Sequence, residues 1–263
     1  LGDVYKRQPL CHMTWHPDGL LRQWGVLDFA GGTVVHMSAG CAALAGALFL
    51  GRRMDNQLTP ANIPFVILGT GLLWFGWFGF NAGSAFSAGA DAVLAFANTN
   101  LASATAMITW IFFDRYRDRK MSAVGACIGA VVGLVAITPA AGFVSLGDSV
   151  LIGFVASLVS NLAIDRFHKS GRIDDTLDVF ASHGIGGMVG MLLTGALAAD
   201  VGLTSGEVET FGKHVAALVF VAIGAFGLSY SLFAIVNSLI PMRVTSKQEE
   251  RGLDDSQHGE QVK

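Results

Sequence analysis

Long apolar segments separated by short polar ones dominate the pattern of the chain. Seven segments are apolar enough to cross a bilayer, which takes about 20 residues as a helix. They cover approximately residues 28–50, 63–86, 92–113, 121–140, 148–165, 178–199 and 214–240. The pattern therefore predicts an all-α polytopic membrane protein with seven transmembrane helices. Residues 1–27 form its N-terminal stretch, 28–240 its membrane domain and 241–263 its tail.

The composition agrees with a membrane protein. Of the 263 residues 52% are hydrophobic and only 14% charged, against about 25% charged in ordinary soluble domains. The 33 glycines suit helices that pack closely in lipid. A net charge of -3 gives no support for nucleic-acid binding. The opening segment LGDVYKRQ fits no recognisable element, and a foreign origin of residues 1–8 is left open.

The three cysteines, Cys11, Cys41 and Cys127, lack the spacing of metal ligands. We interpret them as small apolar packing residues. We predict no metal site, no cofactor, no catalytic residues and no enzymatic activity.

Loop charges predict the orientation. Segments 51–60, 114–120, 166–177 and 241–263 together hold thirteen lysines and arginines, whereas the alternate loops hold only Lys213. Basic residues concentrate in cytoplasmic loops. We therefore expect the N-terminal stretch outside the cell and the C-terminus in the cytoplasm.

Two histidines in matched settings carry the strongest functional signal. His36 ends DFAGGTVVH and His183 ends DTLDVFASH, each eight residues after an aspartate. Ionisable residues in membrane helices are costly and mark substrate or proton paths. Eight helical residues rise about 12 Å, and the two helices enter from opposite faces. We expect the histidines to meet near the midplane of an inverted repeat.

The repeat also predicts helices that precede this chain in the whole protein. If the first and sixth spans are equivalent, spans two to six form one five-helix unit, and the first span ends an earlier unit. We therefore expect four helices that precede this chain, in a protein of eleven helices.

The second span contains GWFGFNAGSA, in which Trp77, Phe80 and Ser84 follow helical spacing and are expected to share one face. Such a stripe serves either helix packing or lipid contact or, through cation–π contacts, a pore wall. Asp28 fits either a helix cap or a functional carboxylate, and the two roles are compatible.

At this point the residues resemble a known family. DFAGGTVVH, GWFGFNAGSA, AFANTN, GACIGAVVGLVAITPAAGFV, DDTLDVFASHGIGG and GLDDSQHGE are similar, in collinear order over about residues 9–260, to the ammonium transporter (Amt/Mep/Rh) family, closest to its bacterial Amt branch. The resemblance implies a trimer of subunits that each have eleven spans and one pore.

The resemblance also implies roles for individual residues. The pore residues are His36, His183, Trp77 and Phe80. The residues that recruit ammonium outside are Trp15, Ser84 and Asp28. Ammonium would be captured, lose its proton and pass as ammonia along the histidine pair, with or without its proton being relayed inward. The second phenylalanine of the gate would lie in the upstream helices.

The expected setting follows from the same resemblance. It is the cell (inner) membrane, with ammonium or ammonia as passenger, a homotrimer as assembly, and a P-II-type nitrogen regulatory protein binding near the cytoplasmic tail. Three alternatives stay open. They are an ammonium sensor, an Rh-type neutral-gas channel, and an electron-transfer protein whose histidines bind haem or metal.

Overall fold

Helices form every regular element in residues 2–55, 60 and 62–260, the residues that this computed structural model describes. The principal helices, in chain order, are α1 (Gln8–Trp15), α2 (Leu20–Gln23), α3 (Gly32–Leu50), α4 (Ile63–Gly83), α5 (Ala90–Tyr116), α6 (Ala123–Ile137), α7 (Leu146–Ser170), α8 (Phe180–Leu197), α9 (Val208–Leu239) and α10 (Ser246–Arg251). The predicted all-α class is confirmed. Parts of the predicted 51–60 loop and the last three tail residues lie outside the described residues.

Six of these helices are long and apolar enough to cross a membrane: α3, α4, α5, α7, α8 and α9. The predicted fourth span, 121–140, is shorter than expected because α6 has only 15 residues. Pro139 has no N–H to continue the helix. The carbonyls of Thr138 and Pro139 accept the backbone N–H groups of Ala30 and Phe29 instead. The end of α6 is thereby tied to the segment that leads into α3.

The N-terminal stretch belongs to the packed structure. Leu21 and Val26 are almost completely buried, in a cluster that includes Val34 of α3, Met191 of α8 and Val221 of α9. Leu10, Leu21 and Val26 therefore anchor the N-terminal stretch in the core, and the stretch is not a free extension.

Small residues bring α5, α6 and α7 together. A Cβ atom added to Gly133 of α6 would lie 2.5 Å from the carbonyl oxygen of Ala102 in α5, and one added to Gly153 of α7 would lie 2.3 Å from the same atom. Backbones in membrane proteins approach this closely through small residues. The three helices thus form a tight wall behind α8.

Side-chain caps define where three of the helices begin. Asn62 Oδ1 accepts the N–H of Phe65 at the start of α4, and Ser122 Oγ accepts that of Gly125 at the start of α6. Ser145 and Asp148 form a reciprocal capping box at the start of α7. Each cap satisfies N–H groups that the helix itself leaves free.

Candidate functional site

The two histidines lie in matched irregular segments. Both α3 and α8 begin with six residues of π-helix, Gly32–Met37 and Phe180–Ile185, before continuing as α-helix. His36 and His183 belong to these segments. The expectation of eight helical residues before each histidine is wrong, because α3 begins four residues after Asp28 and α8 five residues after Asp175. A π-helical turn inside a helix is often found at a functional site.

Asp28 caps the start of α3. Its carboxylate is 6% exposed and accepts the N–H groups of Gly31, Gly32 and Thr33 at 2.6–2.9 Å, together with the Thr33 hydroxyl at 2.5 Å. Asp175 caps the start of α8 with a single bond, in which its Oδ2 accepts the Phe180 N–H at 2.7 Å. Both carboxylates thus make hydrogen bonds of the kind that cap a helix.

The two histidine-bearing helices cross at glycines. A Cβ atom on Gly40 would lie 2.2 Å from the backbone nitrogen of Gly184, and one on Gly187 would lie 3.1 Å from Cβ of His36. Gly40 and Gly187 each follow their own histidine by four positions. Matched glycines therefore let each helix approach the other's histidine.

The crossing brings the histidine side chains together. Nδ1 of His36 lies 3.2 Å from Nδ1 of His183, and the ring centroids are 5.4 Å apart. His36 is 2% exposed, whereas His183 is half-buried. Two nitrogens at this distance can share one hydrogen, so one ring donates and the other accepts.

Thr138 decides which ring donates. Its hydroxyl donates to the Leu134 carbonyl at 2.7 Å, accepts from the Trp77 indole N–H at 3.0 Å and lies 3.2 Å from Nε2 of His36. Trp77 can only donate and the carbonyl can only accept. All three contacts are satisfied only when His36 donates through Nε2. His36 Nδ1 is then an acceptor, and His183 donates to it through Nδ1.

Trp77 and Phe80 extend the site along α4. The His36 ring stacks on Trp77 with centroids 5.2 Å apart and an interplanar angle of 17°. Phe80 lies 6.3 Å from the same imidazole. These two aromatic rings and both histidines line a cavity of about 420 Å³ whose remaining wall is aliphatic. The four predicted pore residues thus line one cavity.

Two of the predicted recruitment residues, Trp15 and Ser84, lie near the start of α3 and the end of α4. Trp15 is 43% exposed, and its indole N–H donates to the Asp28 carbonyl at 2.9 Å. Ser84 directly follows Gly83, the last residue of α4, and its hydroxyl donates to the Phe80 carbonyl at 2.9 Å. Trp15 is therefore joined to the α3 cap and Ser84 to the aromatic end of the cavity.

Thr138 is a site residue that sequence reasoning missed. It lies 102 positions after His36 and 45 before His183, at the end of an apolar span of ordinary composition. Its only distinguishing signal is the Pro139 that follows it and ends the helix. The π-helical segments likewise have no recognisable signature in the sequence.

The tail contacts the C-terminal end of the histidine helix α3. Arg243 donates to the Leu50 carbonyl at 2.6 Å and to the Arg52 carbonyl at 2.7 Å. Glu249 of α10 accepts the Met54 N–H at 2.6 Å and a guanidinium N–H of Arg243 at 3.1 Å. Orphan carbonyls at a helix C-terminus favour such a cation. The tail thus provides hydrogen-bond partners at the C-terminal end of α3, the end opposite to Asp28.

The loop that follows α3 also contacts the segment that precedes α8. The Arg53 guanidinium makes a two-pronged ion pair with Asp174 at 2.7 and 2.9 Å, and the Arg53 N–H donates to the same carboxylate. Hydrogen bonding to Arg53 lowers the pKa of the Asp174 carboxyl below its usual value. Asp174 directly precedes the Asp175 that caps α8. One continuous set of contacts therefore links the tail, α3 and α8.

Six apolar helices of the described residues are long enough to cross a membrane, and two of them cross and carry paired histidines beside an aromatic cavity. These features define a multi-pass membrane protein with a site in its interior. Comparison with known proteins identifies the family. The pattern of the Ammonium Transporter Family matches residues 5–263. The ammonium transporter of Aquifex aeolicus is 45% identical over 267 residues, which cover 100% of this chain and 63% of that protein.

Solved structures agree. Candida albicans Mep2 matches with a TM-score of 0.87 and 37% identity, over 92% of this chain and 58% of that one. A structure described as a sensor Amt protein matches with a TM-score of 0.87 and 31% identity, over 94% and 65%. The chain belongs to the ammonium transporter family, whose members are transporters and not enzymes. It spans about three fifths of the length of these relatives.

Proposed function

We propose that the protein of which this chain is part is an ammonium transporter that conducts ammonia past the His36–His183 pair. The observation that carries the proposal is the Nδ1–Nδ1 contact of 3.2 Å beside a cavity lined by Trp77 and Phe80. The family membership of the chain gives the class of passenger.

Ammonium is recruited at the outer end of the pore. Trp15 presents an exposed aromatic face, which attracts a cation through the charge distribution of its ring. The Asp28 carboxylate, bound by three backbone N–H groups, holds the adjoining turn in place. Ser84 offers a hydroxyl oxygen that can accept a hydrogen bond from ammonium while its own hydrogen is held by Phe80.

Deprotonation follows from the apolar lining of the path. The cavity walls are aliphatic and aromatic, so they cannot replace the hydration of a cation. Ammonium can lose its proton and pass as neutral ammonia, whereas potassium cannot. The neutral histidines both donate and accept hydrogen bonds, and the pair can therefore guide ammonia and relay the proton inward.

The membrane setting completes the proposal. The protein is a homotrimer in the cell (inner) membrane with the N-terminal stretch outside and the C-terminus in the cytoplasm. The basic loops support this orientation, since lysine and arginine are retained on the cytoplasmic side. The tail contacts at Leu50, Arg52 and Met54 support a regulatory role for a P-II-type protein that binds at this face.

The decisive experiment measures ammonium currents on solid-supported membranes with the transporter expressed from its whole gene. Wild type is expected to give a saturable ammonium current and no potassium current. A His36→Ala/His183→Ala double variant is expected to lose the selective current. An unaltered current in the double variant would contradict the proposed relay. The absence of an ammonium current in wild type would contradict the transporter proposal.

A sensor is the second candidate, favoured by the similarity to the solved sensor Amt protein. A sensor binds ammonium without sustained flux, so binding in the absence of current identifies it. An Rh-type neutral-gas channel passes ammonia without charge movement. An uptake of ammonia that generates no current in tight proteoliposomes identifies that alternative.

A further inference from the structure

A histidine outside the pair, His214 of α9, contacts the segment that leads into α3. It is completely buried. The Leu27 N–H donates to its Nε2 at 3.0 Å, and Nδ1 lies 2.8 Å from the Met191 carbonyl oxygen of α8. Leu27 directly precedes Asp28, and Met191 is on the helix that begins at the His183 segment. One imidazole therefore joins α9, α8 and the entrance to α3.

The two partners specify the tautomer of this ring. A backbone N–H can only donate, so Nε2 of His214 must be the unprotonated acceptor. A backbone carbonyl can only accept, so Nδ1 carries the hydrogen. Both ring nitrogens of His214 thus have a partner. A side chain that offers one acceptor and one donor at this spacing is what the position requires.

The His214 ring is closely packed against α8. A Cβ atom on Gly195 of α8 would lie 2.8 Å from Cγ of His214. The ring lies against the bare backbone of α8, where it reaches the Met191 carbonyl. The contact with Leu27 is therefore made by a side chain that cannot move toward α8.

The contacts continue from Leu27 to the recruitment residues. The next residue, Asp28, accepts the indole N–H of Trp15 with its backbone carbonyl and caps α3 with its carboxylate. A shift of Leu27 is transmitted through one peptide unit to both. The position of Trp15 relative to α3 thus depends on the hydrogen bond that His214 accepts.

We propose that His214 is a positioning residue for ammonium recruitment, which holds the Leu27–Asp28 segment so that Trp15 and the α3 cap keep their geometry. This inference rests on the proposed transport function. It predicts that His214 affects the apparent affinity for ammonium, whereas a residue that only stabilises the fold affects the amount of active protein.

The test compares three variants of the transporter expressed from its whole gene in proteoliposomes. His214→Leu removes the acceptor and the donor, and His214→Gln keeps both because its amide oxygen and nitrogen can take the same partners. Ser157→Ala is the control, since it removes another fully buried interhelical hydrogen bond, to Ala106, in the α5–α7 wall. Each is assayed for KM and maximal current per folded protein, and for amide hydrogen exchange of residues 27–33.

For His214→Leu we expect KM for ammonium to rise about fivefold or more, because a buried N–H loses its acceptor, together with faster exchange of residues 27–33. The Gln variant and Ser157→Ala are expected to stay within about twofold of wild type in KM. Combining His214→Leu with Trp15→Phe should raise KM by less than the product of the single effects. An unchanged KM and exchange in His214→Leu, or a Gln variant as impaired as the Leu variant, overturns the inference.

Gly195→Ala provides the same test if His214→Leu does not fold, because it displaces the ring without removing it. We expect a raised KM and faster exchange of residues 27–33; an unchanged KM with unchanged exchange overturns the inference. Failure of the transport proposal can be told apart from failure of this inference. If the transport proposal fails, wild type gives no ammonium current, whereas the exchange measurement still tests the role of His214 because it does not depend on transport.

Discussion

Thr138 Oγ1 lies 3.2 Å from Nε2 of His36, and its own hydrogen is used by the Leu134 carbonyl. The hydroxyl thereby makes His36 a donor at Nε2 and an acceptor toward His183. A proton relay through the pair must change this tautomer. Thr138 is therefore expected to keep the pair in one defined tautomer between transport cycles.

Thr138→Val is expected to lower ammonium current by about tenfold. Both His36 Nε2 and Trp77 Nε1 lose their acceptor, and a buried unpaired donor costs about 1–3 kcal/mol. Thr138→Ser keeps the oxygen and serves as the control, with current near that of wild type. The measurement is current per folded transporter on solid-supported membranes. A Val variant that conducts as well as the Ser variant contradicts the role given to this hydroxyl.

Gly40→Ala is expected to destabilise the protein. The new Cβ would lie 2.2 Å from the backbone nitrogen of Gly184, so α3 and α8 must separate at the histidine pair. Overpacking of this kind costs about 1–3 kcal/mol. Gly212→Ala is the matched control, because a Cβ there has no neighbour within 4 Å. Thermal unfolding in detergent should show a lower midpoint for Gly40→Ala alone, and equal midpoints contradict the crossing geometry.

The ion pair between Arg53 and Asp174 is expected to make stability depend on acid pH. The pKa of Asp174 is lowered by Arg53, so its stabilising effect is present above the usual carboxyl pKa of about 3.9 and is lost as pH falls through the lowered value. Between about pH 5 and pH 3, wild type should lose more thermal stability than Asp174→Asn. Asp118→Asn, at an exposed aspartate, is the control and should behave like wild type. Identical acid dependence of all three proteins contradicts the prediction.

Hydropathy and spacing predicted the features that depend on local sequence. The apolar helices follow from composition over about 20 residues, and the histidine pair from two motifs of equal length. The N-terminal stretch was harder to predict, since its buried residues, Leu21 and Val26, are too few to form a span. Its packing depends on α3, α8 and α9, which are distant in sequence.

Other features of the site depend on contacts between distant segments. The π-helical starts of α3 and α8 lie beside the crossing of the two helices at Gly40 and Gly184. The role of Thr138 depends on three partners from α3, α4 and α6 that meet at one oxygen atom. A single sequence shows residue types and intervals, but not which hydroxyl lies beside which imidazole.

The tail is expected to be released by Arg243→Ala. This guanidinium holds the carbonyls of Leu50 and Arg52 and the carboxylate of Glu249, and the alanine variant loses all three bonds. Limited trypsin digestion should then cleave after Lys247 about tenfold faster, as expected for the loss of about 1.4 kcal/mol of docking free energy. Arg166→Ala removes the same charge from an exposed position on α7 and should digest like wild type. Equal cleavage rates in the two variants would mean that Arg243 does not hold the tail against α3.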